Sequence, residues 1–314
     1  MILEQKYGEP RRPLGYAAIT KEREEAGIPK RTSDFSGTLT LGGDLTVGRL
    51  GFGAMRLCGP GVWGEPDDPG NAERVLCRAV ELGVSFIDTA DAYGPEVGER
   101  AISSALHPYP ERLVIATKGG YTRQGPGRWR TNGRPKHLRE ACEGSLRRLK
   151  LDRIDLYQLH RPDSRVPFER SIEALARLRE EGKVRHVGLS NVTAGQLETA
   201  QSIVPIVSVQ NRYNLNDRRS EAVLRACERL GIAFIPWLPL ATGRLARPGG
   251  ALDGIRARHG AASAQVALAW LLARSPVMLP IPGTSSVAHL EENVAARGLR
   301  LADDEVRALT LLKP

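Results

Sequence analysis

A chain of 314 residues, 41% hydrophobic and 26% charged, has the composition of a folded protein with a sizeable core, which excludes disordered and fibrous classes. No run nears the roughly 18 uninterrupted apolar residues of a membrane helix, and "MILEQKYGEPRRPLG" lacks the apolar core of a signal peptide, so a cytoplasmic protein with no membrane partner is expected. The formal net charge of +9 would suit nucleic acid, but arginines dispersed among glutamates, as in "LREACEGSLRRLK", read as solvated helix faces; no nucleic-acid partner is expected, and an anionic small ligand or cofactor fits better.

In chain order, residues 1–37 carry many charges and prolines and little apolar periodicity. They are expected to form an N-terminal arm, a candidate contact with the chain's own barrel in a monomer or with a neighbour in a homo-oligomer, ahead of one domain spanning 38–314. "GTLTLGGDLTVGR" predicts a hairpin turning at Gly42 and Gly43. From Val47 onward, apolar runs alternate with amphipathic ones. Strands are predicted at "VGRLGFGAM", "VSFIDTA", "RLVIATK", "RIDLYQLH", "KVRHVGLS", "PIVSVQN", "IAFIPWLPL" and "PVMLPIPG". Between them Ala72, Val75, Leu76, Ala79 and Val80 recur at helical spacing, and "PKHLREACEGSLRRLK" and "SEAVLRACERLG" read as helices.

Eight strands separated by helices predict an α/β fold, a (β/α)8 TIM barrel closed at one end by the N-terminal hairpin. The glycines of "ELGVSF", "REEGKVRHV" and "ERLGIAF" sit where helix C-caps turn into strands. A doubly wound sheet is the alternative, weakened because "GFGAMR" places Arg56 where a dinucleotide fingerprint needs its third glycine. Cys58, Cys77, Cys142 and Cys227 form no CxxC pair, so neither a zinc site nor a disulfide framework is expected.

In a parallel barrel the C-terminal strand ends converge on one mouth. The first four predicted strands end at Met55, Asp88, Lys118 and His160, with Tyr93 in the turn after Asp88, so these side chains are expected to share a pocket. The series "DTADAYG", "VIATK" and "LYQLH", followed by "GLSN", "VQNRYN", "PWLPL" and "IPGTSSVAHLEEN", resembles the aldo-keto reductase superfamily from about Gly37 to the C-terminus. The resemblance implies a catalytic tetrad of Asp88, Tyr93, Lys118 and His160 and the reduction of a carbonyl by a nicotinamide cofactor. The chemistry agrees: hydride transfer builds negative charge on oxygen, so the site needs a proton donor aimed at it and a second donor to orient it. Free tyrosine is a poor acid at neutral pH. Lys118 is therefore expected to lower the pKa of Tyr93, Asp88 to keep Lys118 protonated, and His160 to act as a neutral donor.

For the cofactor, the resemblance implies Gly53, Ala54 and Met55 beside Asp88, the polar groups of Ser190, Asn191 and Gln210 on the nicotinamide carboxamide, and Trp237 stacked on its ring. Leu238, Pro239, Leu240, Gly283, Thr284 and Ser285 are implied at the phosphates, and His289, Glu292 and Asn293 near the adenosine. Gly283 and His289 stand where many relatives carry a lysine or arginine, which narrows the expected preference for NADPH over NADH. A looser resemblance, in "VWGEPDDPG" and "ATKGGYTRQGPGRW", points to a bacterial pyridoxal-reductase-like branch. Trp63 and Trp129 are then expected to stack on pyridoxal, and Tyr121 or Arg123 to reach its phenolate. A pathway-specific ketoreductase of natural-product or sugar metabolism and a nicotinamide-sensing regulatory subunit are the other readings.

Overall fold

The computed structural model describes residues 37–241 and 252–312. All but the last residue of the expected arm lies outside them. A first hairpin pairs β1 (Thr38–Leu41) with β2 (Leu45–Gly48). It is followed by β3 (Phe52–Gly53), α1 (Pro69–Glu81), β4 (Phe86–Asp88), α2 (Val97–Leu106) and β5 (Val114–Gly119). A second hairpin, β6 (Tyr121–Arg123) with β7 (Trp129–Thr131), interrupts the alternation. The chain continues through α3 (Pro135–Leu149), β8 (Ile154–Leu159), α4 (Phe168–Glu180), β9 (Val184–Ser190) and α5 (Ala194–Gln201). Then come β10 (Ile206–Arg212), α6 (Glu221–Leu230), β11 (Ala233–Trp237), α7 (Asp253–His259), α8 (Ser263–Arg274), α9 (Val287–Ala295) and α10 (Asp303–Leu311).

The helices form where apolar spacing and caps agree. In α1, Asp68 accepts from the Asn71 amide at 3.0 Å and Pro69 opens the first turn, while Ala72, Val75, Leu76 and Ala79 bury one face. α5 is closed by a Thr193/Gln196 capping box. At the end of α6, Gly231 takes φ 63°, the left-handed turn expected before the next strand.

Strands β3, β4, β5, β8, β9, β10 and β11 are parallel neighbours in that order. The eighth predicted strand, "PVMLPIPG", closes the sheet without being a regular strand. Against β11, the Phe234 amide donates to Val277 and the Leu279 amide to Phe234; against β3, the amides of Gly51 and Gly53 donate to Pro280 and Pro282. Pro280 and Pro282 have no N–H to give back, so the bonds on the β3 side run one way and no ladder forms. The result is the expected (β/α)8 barrel. One end is plugged by the first hairpin, whose Leu41, Leu45 and Val47 pack against Phe86, Val114, Leu156 and Ile235.

Candidate active site

Strand register carries the site. Gly53 pairs with Asp88 across β3 and β4, Lys118 with Gln158 across β5 and β8, and Ser190 with Gln210 across β9 and β10. His160 follows β8 directly, and Tyr93 stands in the turn after β4. Lys118 is 0% exposed, so each of its three ammonium protons needs an acceptor. It finds Asp88 Oδ1 at 2.6 Å, the Thr89 carbonyl at 2.8 Å and the Tyr93 hydroxyl at 3.2 Å. The other Asp88 oxygen accepts from Gln210 at 2.7 Å and Gln158 at 3.2 Å. The four tetrad residues do come together.

Their electrostatics differ from expectation in one respect. Burial acts downward on Lys118, but Asp88 and Tyr93 outweigh it and hold the ammonium above its ordinary value. Burial pushes the Tyr93 phenol up, and the pull of Lys118 only partly offsets it. The expected lowering of the phenol is thus corrected: in a site this dry, desolvation of a phenolate exceeds the attraction of one ammonium that Asp88 already neutralises. His160 follows expectation. Burial first, then the cations Lys118, Arg161 and Arg123, hold it well below its usual range, so the ring is neutral. Among the described residues its buried Nδ1 has no hydrogen-bond partner.

A cavity of about 790 Å³ opens onto Asp88, Tyr93 and His160, and Gly53 and Met55 line it as well. Ser190, Asn191, Gln210 and Trp237 continue the wall, with Leu238, Pro239 and Leu240 beside them. Gly283, Thr284, His289, Glu292 and Asn293 also lie on it, whereas Ala54 and Ser285 do not. Ser285 is exposed, and its carbonyl accepts from Asn71. Asn191 is largely committed to the protein: its amide nitrogen donates to the His160 carbonyl and Ser190 Oγ, and its oxygen accepts from Trp237 Nε1. Asn191 and Leu238 take φ of 60° and 59°, a left-handed conformation that costs a non-glycine residue on the order of 1 kcal/mol.

Of the four expected substrate residues, Tyr121 and Trp129 reach the wall; Trp63 and Arg123 do not. Arg123 spends all five N–H groups on the carbonyls of Gly61, Val62, Ala92, Gly125 and Arg128. Its guanidinium lies 3.7 Å from the Trp129 ring centroid and 5.6 Å from that of Trp63, bracing both loops. It has no donor left for a phenolate. Sequence reasoning missed Gln158, the cavity cations Arg56, Arg161 and Arg256, and the β6–β7 hairpin that carries Tyr121 and Trp129. Three-residue strands leave little periodicity, though "QGPG" between "YTR" and "RWRT" is a turn signal.

Residues 49–313 match the model of the Aldo/keto reductase family. An uncharacterized oxidoreductase of Schizosaccharomyces pombe is 51% identical over 269 residues, covering 86% of this chain and 87% of that protein. Pyridoxine 4-dehydrogenase of Escherichia coli is 46% identical over 280 residues, covering 87% of this chain and 97% of the relative. Among solved structures, an aldo-keto reductase from Klebsiella pneumoniae in complex with NADPH superposes with a TM-score of 0.75 at 26% identity, covering 88% and 95% of the two chains.

Proposed function

Because this chain belongs to the aldo/keto reductase family, we propose that it is an NADPH-dependent reductase of aldehydes and ketones, with pyridoxal as a substrate. The observation that carries the reading is the Asp88–Lys118–Tyr93 relay beside a neutral His160, all four set around one cavity mouth.

The wall suits a polyanionic dinucleotide. Arg56 offers a cation, Arg256 offers a second that is shared with Asp253 at 3.3 Å, Lys118 compensates Asp88, and Thr284 stands just ahead of the α9 N-terminus. Ser190 and Gln210 retain polar atoms for the carboxamide, Trp237 offers a ring face, and His289, Glu292 and Asn293 would hold the adenosine. When bound, NADPH supplies the hydride. The Tyr93 hydroxyl, held protonated by burial, gives its proton to the carbonyl oxygen as negative charge builds there. Lys118, 3.2 Å away, stabilises the phenolate left behind, and Asp88 fixes Lys118. The neutral His160 ring orients the same oxygen, at no cost in charge repulsion with Lys118.

Pyridoxal is a planar aromatic aldehyde, and Tyr121, Trp129 and His160 form an edge-to-face aromatic cluster on the wall, with centroid separations of 4.6 to 6.2 Å. The similarity to pyridoxine 4-dehydrogenase supports the same choice. The test is NADPH oxidation by the purified protein with pyridoxal and with 4-nitrobenzaldehyde, and both are expected to be reduced. Reduction of 4-nitrobenzaldehyde with none of millimolar pyridoxal would replace this assignment with the pathway-specific ketone reading.

A further inference from the structure

Three arginines, Arg123, Arg161 and Arg165, contact or belong to the β6–β7 hairpin, and their commitments differ. Arg123 has given every N–H to a backbone carbonyl. Arg165 is bonded to Asp163 and to the Thr131 carbonyl. Arg161, directly after His160, lines the cavity and uses only Nε, which donates to the Tyr121 hydroxyl at 2.6 Å. Among the described residues no carboxylate or carbonyl accepts from its two terminal nitrogens. A guanidinium held at one edge presents a rigid pair of donors from the other, the geometry that receives carboxylate or phenolate oxygens.

The surroundings add a second constraint. The Tyr121 ring that anchors Arg161 lies 4.6 Å from the His160 ring and 5.3 Å from Trp129. Asp88, the acid on this part of the wall, is already paired with Lys118. The positive charge of Arg161, an exposed residue, therefore stands beside an aromatic slot, and no anion of the described residues meets it.

We infer that Arg161, braced by Tyr121, receives an anionic oxygen of the substrate, so that planar aromatic aldehydes bearing a phenolate or carboxylate are selected over neutral ones. The inference rests on the carbonyl-reductase reading above and adds a substrate class to it.

4-Carboxybenzaldehyde and 4-nitrobenzaldehyde test it, since the two substituents are nearly isosteric and only the carboxylate is charged. The readout is the change, from parent to variant, in the ratio of kcat/KM for the charged aldehyde to that for the neutral one; comparing the two proteins cancels the different intrinsic reactivity of the aldehydes. In Arg161→Met the ratio should fall by about tenfold or more, the scale of one charge-assisted hydrogen bond, with the loss in KM rather than kcat. Arg161→Lys should fall between, because it keeps the charge without the fork, and Tyr121→Phe should lose part of the ratio by freeing Nε. A ratio within about twofold of the parent in Arg161→Met would overturn the inference. Quenching of tryptophan fluorescence by each aldehyde in the NADP+ complex measures the same preference without turnover. If neither aldehyde is reduced by the parent protein, the reductase reading fails, while the quenching still decides whether Arg161 takes the carboxylate.

Discussion

At the residue scale, the site is governed by where its charged groups spend their hydrogen bonds. Lys118 has three protons and three acceptors, and Asp88 collects Lys118, Gln158 and Gln210. Removing Lys118 would strand a buried carboxylate at a cost of roughly 3–5 kcal/mol, which confounds chemistry with folding. Tyr93→Phe is the cleaner test: the ring stays and only the proton donor is lost. Turnover should fall at least about a hundredfold, with cofactor affinity retained. The same residues set the pH profile. Burial holds the Tyr93 phenol above its usual value, so its proton is lost only on the alkaline side; His160, well below its usual value, gains one only on the acid side. The reduction rate should therefore be flat from about pH 6.5 to 9; a loss of rate on raising the pH through neutrality would contradict the Tyr93 assignment, and one on lowering it through neutrality the His160 assignment. Which arginine meets the substrate is also a residue-scale matter. The sequence points to Arg123; the structure spends all of its donors away from the cavity and places Arg161 on the wall instead.

At the scale of elements, the two hairpins had unequal signals. "LTLGGDLTV" announces its turn with paired glycines between alternating apolar residues, and β1 and β2 form there. What the sequence does not show is why Gly42 is needed. Its φ is +61°, and a Cβ there would lie 2.2 Å from the His186 ring, which is bonded to Asp44 of the same turn at 2.6 Å. Gly43, at φ +84°, has no atom of the described residues within 4 Å of its Cβ position. Gly42→Ala should accordingly lower stability by about 1–2 kcal/mol more than Gly43→Ala, read as the difference between their thermal midpoints. Equal losses would show that backbone strain alone, and not the His186 contact, sets the cost. The β6–β7 hairpin was hidden because its strands are too short to show a period. Its place is held by contacts from Arg123 to loops about 30 and 60 residues earlier in the chain.

At the scale of the whole molecule, the barrel gathers residues from 53 to 293 onto one cavity, and the cofactor preference is read from the cations on its wall. Gly283 and His289 supply no fixed cation at the positions where one was sought, but Arg56 and Arg256 lie on the same wall. NADPH should raise the melting temperature more than NADH at equal concentration; a ligand at 100 times its Kd stabilises by about 2.7 kcal/mol. Arg256→Ala should narrow the difference, and equal shifts with both cofactors would refute the preference. The sequence by itself determined the alternation of strands and helices and the order of Asp88, Lys118 and His160 along it. Both are local: hydrophobic period sets each element, and a parallel barrel brings every strand's C-terminal end to one mouth whatever the loops do. Only the tertiary structure decided that Pro280 and Pro282 close the barrel through one-sided hydrogen bonds, that Arg123 is spent while Arg161 is available, and that burial outweighs the pull of Lys118 on the Tyr93 phenol. Each of these depends on through-space balances between groups dozens to hundreds of residues apart, where burial competes with charge and donors compete for acceptors, and neither competition leaves a periodic trace in the chain.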